Sequence, residues 1–240
     1  MSFLFNTVTA LLGGVSLSLL LHGNVLADGM EPETSVVILY EENGEATINV
    51  KNTDAGPALL HSVIQNLAED PEPLLIVTPP IARVEPGETQ LVRFIATLKE
   101  PLKTQRLKRV TFEGIPQARA EGRATIGITI RQDLPLILHP QGLPRLEEPW
   151  KLLKWTLQGN RLAVQNDSAY VVRLGLQVQL LPAKRPAILS RTYVLPGETL
   201  WTTVEGNVAG VNAVEIQPAT VYGYSTSVYQ APVAVCRGGC

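Results

Sequence analysis

The sequence has no surplus of charge. Lys and Arg total 20 against 22 Asp and Glu, and charged residues make up 18% of 240 positions. A nucleic-acid partner calls for a basic excess, so that class is excluded. Histidine is scarce at three residues and cysteine scarcer at two. His61 and His139 have no cysteine neighbour in sequence, and no Gly-x-Ser-x-Gly or phosphate loop occurs. No carboxylate pair is marked as an acid–base couple. We expect no enzyme activity, no cofactor and no metal.

Long hydrophobic runs are also missing. The one apolar stretch, Val8 to Leu21, is 14 residues, too short to span a bilayer comfortably. Val25 and Ala27 fit the small-residue rule for export-signal cleavage, so residues 1–27 read as a signal peptide cut after Ala27. No Lys or Arg precedes the run, which leaves a short membrane anchor or a misplaced start codon as alternatives. With the signal removed, the chain is expected to be soluble. Both cysteines fall at the C-terminus, as Cys236-Arg237-Gly238-Gly239-Cys240. An even count in an exported chain points to a Cys236–Cys240 disulfide, whose small loop contributes little entropy. Zinc would need two more ligands nearby.

What the chain does have is alternation at period two, with 18 prolines and 19 glycines scattered between apolar runs. Strands are expected near Ala46–Val50, Leu60–Leu67, Leu74–Val77, Thr89–Ile95, Arg109–Phe112 and Arg123–Leu138. The segment His139 to Pro144, with two prolines and a glycine, breaks the pattern and reads as a linker. Alternation resumes at Lys151–Trp155 and Arg161–Val164, and Val171–Leu181 reads as one long strand. Two short echoes relate the halves. Val84-Glu85-Pro86-Gly87-Glu88-Thr89 recurs 110 positions later as Val194-Leu195-Pro196-Gly197-Glu198-Thr199, and Val50-Lys51-Asn52 recurs 114 later as Val164-Gln165-Asn166. The expected fold is all-β, two tandem immunoglobulin-like sandwiches over 28–138 and 145–240 joined by 139–144. Trp150, Trp155 and Trp201 are expected in the core rather than on a sugar platform. Glu41-Glu42 and Glu147-Glu148 read as surface charges, His61 as packed or surface, and His139 as part of the linker.

Ala124 to Leu138 is the most informative stretch. Its even positions are almost all aliphatic, including Ile126, Ile128 and Ile130. A core-facing strand is one reading. The other is an edge strand that completes another protein's sheet, since Pro135 lacks the N–H that a central strand uses.

Thr78-Pro79-Pro80-Ile81-Ala82-Arg83-Val84-Glu85-Pro86-Gly87-Glu88-Thr89-Gln90-Leu91-Val92-Arg93-Phe94 resembles the signature of the PapD-like periplasmic pilus chaperones. Gly114-Ile115-Pro116 is similar to that family's glutamate-isoleucine-proline. The resemblance implies a periplasmic location and two sandwiches in an L- or boomerang-shaped arrangement. It also implies donor-strand complementation: Ile126, Ile128 and Ile130 would fill the groove of an incomplete pilus subunit. Delivery to an outer-membrane usher follows, and self-association through the exposed edge strand is a further expectation. Relatives anchor the subunit's terminal carboxylate with an arginine and a lysine, positions that fall here on about Val36 and Pro135. Neither can bind a carboxylate through its side chain, so that site is not carried over. His139 and Gln105 stand where charged interdomain residues are usual. Arg131, Arg106, Lys108 and Arg109 are cationic candidates for a substitute anchor, each read as a solvated surface charge. The competing expectation is an exported two-domain adhesion or structural module without chaperone activity.

Overall fold

The structure, a computed structural model, describes residues 29–116, 129–220 and 226–236. The signal segment, Ile126, Ile128 and Cys240 lie outside them. The N-terminal strands are β1 (Met30–Pro32), β2 (Val37–Tyr40), β3 (Glu45–Asn52), β4 (Ala58–Gln65), β5 (Leu75–Thr78), β6 (Ile81–Val84), β7 (Thr89–Ala96), β8 (Arg106–Pro116) and β9 (Arg131–His139). They form a sheet ordered β1-β3-β7-β5 packed on one ordered β2-β9-β8-β4-β6. The first strand is shared: β1 pairs antiparallel with β3, and β2 then crosses to the other sheet and pairs parallel with β9. Inward residues such as Ile48, Val92, Phe94, Val110, Phe112, Leu136 and Leu138 fill the space between the sheets.

The C-terminal half repeats the plan with β10 (Lys154–Gln158), β11 (Arg161–Asn166), β12 (Val172–Leu174), β13 (Gln177–Leu181), β14 (Arg185–Ile188), β15 (Tyr193–Val194), β16 (Glu198–Thr203), β17 (Ala213–Ile216), β18 (Pro218–Ala219) and β19 (Tyr229–Cys236). Here the last strand is the shared one. Its first half pairs antiparallel with β17 and its second half parallel with β10. Both halves therefore set a first strand parallel to a last one, as immunoglobulin-like sandwiches do.

The two sequence echoes meet in space. Asn52 is fully buried, and its Nδ2 donates to the carbonyls of Gly56 (3.0 Å) and Val84 (2.9 Å), while its backbone oxygen accepts from Gly87 N (2.8 Å). Asn166 repeats this with Tyr170 O (2.7 Å), Val194 O (3.0 Å) and Gly197 N (2.7 Å). Gly87 and Gly197 sit at φ +78° and +74° after a proline, the left-handed position of a type II turn that favours glycine. Each sandwich is thus closed by an asparagine clamp that ties a strand end to a Pro-Gly turn.

Four expectations need correction. The single strand foreseen over Val171–Leu181 is two, β12 and β13, in different sheets. Gly175 breaks it by donating its N–H to Gln217 O (2.8 Å), leaving the strand ladder. Trp150 and Trp155 lie in the core, but Trp201 is 43% exposed, with the Arg161 guanidinium 4.5 Å from its ring. Glu41 is not a loose surface charge: its carboxylate accepts from Leu102 N (2.9 Å) and Gln141 N (2.8 Å), pinning two loops. His139 is the buried last residue of β9 rather than part of the connecting stretch.

Candidate functional site

β9 is built to have two different ends. β8 flanks it from Arg131 to Leu138, whereas β2 covers its other side only from Leu136 to His139. Among the described residues, no strand pairs with the β2 side of Arg131–Pro135. Pro135, which has no N–H to offer, stands where that side opens. The even-numbered side chains face the core. Leu138 and Leu136 are fully buried and Leu134 is 6% exposed, but Ile130, at the same phase, is 40% exposed. The even-numbered row thus begins inside the sandwich and, past the half-buried Gln132, comes out of it at Ile130. The core-facing reading holds for Leu134 to Leu138. The exposed reading describes Ile130, and Ile126 and Ile128 lie outside the described residues.

The odd-numbered face points away from the core. Arg131 pairs with Glu113 at 2.9 Å, and Arg109 Nε donates to Asp133 at 2.9 Å. Further along, Leu107 and Ile137 join Val36, Leu67 and Val171 in an apolar cluster between the sandwiches. Val36, in that cluster, and Pro135, on β9, are both buried, so neither of the two positions where the resemblance would put a cation is open to water. Arg109 is the register partner of Pro135 on the neighbouring strand.

The junction is held by a neutral relay. Val171 N–H donates to Gln105 Oε1 (2.8 Å), which fixes the amide's orientation. Gln105 Nε2 then donates to His139 Nδ1 (2.9 Å), and His139 Nε2–H donates to Leu143 O (2.8 Å). Gln105 N also donates to Ala169 O (2.8 Å), and Arg191 pairs with Glu69 across the same junction. The tilted Tyr40 ring lies 5.2 Å from the His139 ring.

Lys108 corrects another expectation, because it is fully buried rather than solvated. Its ammonium donates to Asp70 O and Glu72 O, both at 2.7 Å, and lies 3.0 Å from Asp70 Oδ1. Arg106 grips the same carboxylate, with Nε at 2.7 Å from Oδ2. Burial pushes the Asp70 carboxyl up, but the hydrogen bonds and charges of Arg106 and Lys108 outweigh it and hold its pKa below the ordinary range. Burial pulls the Lys108 ammonium down, only partly offset by Asp70. These groups lock the 69–72 loop against β8 and are already committed to one another. Gly114 lies under Met30: a Cβ there would come within 3.1 Å of Met30 Cγ.

Residues 29–144 match the family described as pili and flagellar-assembly chaperone, PapD N-terminal domain, and residues 148–229 match the pili assembly chaperone PapD, C-terminal domain. The chain belongs to the PapD chaperone family. A relative named as the uncharacterized fimbrial chaperone YhcA of Escherichia coli K12 is 44% identical over 207 residues, 86% of this chain and 91% of the relative. The probable fimbrial chaperone LpfB of Escherichia coli O157:H7 is 26% identical over 65% of this PapD-family chain and 69% of its own length. Among solved structures, a chain from the Salmonella enterica SafA pilin–SafB chaperone complex aligns at a TM-score of 0.71. It has 21% identity and covers 87% of this chain and 98% of that one. That likeness confirms a two-sandwich PapD fold.

Proposed function

We propose that this PapD-family chaperone acts in the periplasm by lending its 124–138 strand to fimbrial subunits and handing them to an outer-membrane usher. The observation that carries the reading is the even-numbered row of β9, buried at Leu134, Leu136 and Leu138 and followed, past Gln132, by the exposed Ile130 just before an open strand edge. An incomplete partner sheet can take backbone hydrogen bonds from that edge. Ile126, Ile128 and Ile130 then lie on the side facing the partner's groove, each burial worth about 1.5–3 kcal/mol. In the absence of a subunit, the same edge can pair with a second copy of the chain. Export through a signal cleaved after Ala27 and a Cys236–Cys240 bridge belong to the same reading.

The test is co-expression with a fimbrial subunit in the periplasm. Ile128→Asp and Ile130→Asp should each lower subunit recovery while the chaperone's own yield is unchanged. Undiminished recovery with both variants would rule out strand lending and leave the structural-module alternative.

A further inference from the structure

The relay between the sandwiches has a fixed direction. Its two ends are backbone groups whose roles cannot change: Val171 N–H donates at one end and Leu143 O accepts at the other. Gln105 must therefore turn Oε1 toward Val171 and Nε2 toward His139, and the imidazole must carry its proton on Nε2. Nδ1 is left as an acceptor, so the relay closes only with a neutral ring. A second proton, on Nδ1, would set two donors against each other at 2.9 Å. Turning the Gln105 amide over relieves that clash but sets Nε2 against Val171 N–H. No arrangement of the amide satisfies both neighbours. Water has little access, because Gln105 and His139 are only 4% and 5% exposed.

The ionisable groups around the ring supply no other acceptor. Tyr40, its register partner on β2, lies with its ring 5.2 Å from the imidazole, and the Arg145 guanidinium stacks on Tyr40 at 4.4 Å. Arg145 and Glu147 line a cavity of about 260 Å³ shared with Gln105 and His139. Glu41, next to Tyr40, commits its carboxylate to Leu102 N and Gln141 N. Arg106, next to Gln105, is bonded to Asp70 and Glu72, and across the junction Glu69 pairs with Arg191. Among the described residues no carboxylate bonds the imidazole, and Arg145 opposes a second positive charge there.

We propose that Gln105 and His139 form a pH-sensitive latch between the two sandwiches, closed by the neutral imidazole and opened when Nδ1 takes up a proton. The sign follows from linkage: the open junction binds the extra proton and the closed one excludes it, so closure is favoured as pH rises. The latch is whole at neutral pH and is lost as the medium turns acidic, below about pH 6. Opening is local. Gln105 N still donates to Ala169 O at 2.8 Å, and the buried cluster of Val36, Leu67, Leu107, Ile137 and Val171 has no titratable group. Acid therefore loosens the junction without parting the sandwiches. The loosening falls at the His139 end of β9, opposite its open edge, and does not depend on strand lending.

The test is hydrogen exchange at the Val171 amide of the whole chain, read by NMR at about pH 7.5 and about pH 5 and corrected for intrinsic exchange. Protection at Val171 should fall by about tenfold in acid, the effect of losing one hydrogen bond, while protection at Val92 in the N-terminal core stays constant. In His139→Gln the pH dependence should vanish. In Gln105→Glu it should reverse, because a carboxylate accepts from both Val171 N–H and the protonated ring. No fall in the unaltered chain, a fall of the same size in His139→Gln, or a fall in place of a rise in Gln105→Glu overturns the latch. Should either variant fold poorly, proton–nitrogen correlation spectra of the imidazole in the unaltered chain decide. The Nε2–H tautomer at neutral pH, giving way to the protonated ring as Val171 loses protection, supports the latch. A ring already protonated at neutral pH, or the Nδ1–H tautomer, overturns it.

Discussion

Replacing Lys108 with methionine keeps the length of the side chain and removes its charge. The ammonium makes three contacts: two backbone carbonyls at 2.7 Å and Asp70 Oδ1 at 3.0 Å. Methionine fills the same space but donates nothing. The carbonyls of Asp70 and Glu72 lose a donor, a penalty of about 1–3 kcal/mol for each one that water cannot reach. Asp70 keeps Arg106, so its carboxylate is not orphaned. Against these losses stands a gain, because an ammonium no longer has to be stripped of water. The balance is a net destabilisation of about 2–4 kcal/mol, confined to the N-terminal sandwich. Tryptophan fluorescence is the wrong assay, since Trp150, Trp155 and Trp201 all lie in the other half. Hydrogen exchange read by mass spectrometry over β8 and the 69–72 loop reports the right region. Protection there should fall by roughly thirtyfold or more, the equivalent of the lower bound. Unchanged or increased protection would refute the reasoning, and would mean that the buried charge is a net burden at this site.

Asp70 gives an acid-dependence prediction. Its folded pKa lies below the unfolded value near 3.9, so its contribution is complete above that pH and disappears as pH falls through the folded value. The stability gap between the unaltered chain and Asp70→Asn, followed by urea unfolding with far-UV circular dichroism, should be flat near neutrality and shrink in acid. Gln105→Leu removes the acceptor for Val171 N–H and the donor for His139 Nδ1. Amide exchange at Val171 should rise by about tenfold or more, and unchanged exchange would show that the relay does not hold the junction. Asn166→Ala should lower the urea midpoint seen by tryptophan fluorescence, by an amount equivalent to about 2–3 kcal/mol. Asn52→Ala should instead lower the stability of the tryptophan-free half, detected by exchange in β3 and β4. A matching fluorescence loss in both variants would argue that the halves unfold as one unit.

The strands with clean alternation were readable from sequence because their side chains divide between a wet face and a dry one. β3, β4 and β7 belong to that group. So did the repeated Pro-Gly turns, although only the structure shows that the echoed asparagines bond to the echoed turns. β8 was legible only in part. Arg106 and Lys108 look like solvated ends, and the loop that buries Lys108 lies 36 and 38 residues away. No local pattern announces a partner at that distance. The candidate donor row was visible as periodicity, but periodicity cannot say where a row leaves its own core. That point, between Leu134 and Ile130, needed the pairing of β2 and β8 with β9.

The direction of that row has a consequence for the host as well as the guest. A partner seated against Ile130 would extend the interior that Leu134, Leu136 and Leu138 already occupy, adding to it lengthwise. Occupancy and the host's own melting are then coupled, and a loaded chain should unfold at a higher temperature than an empty one. Release of the guest would return that rigidity, leaving the lender softer at the end it had offered.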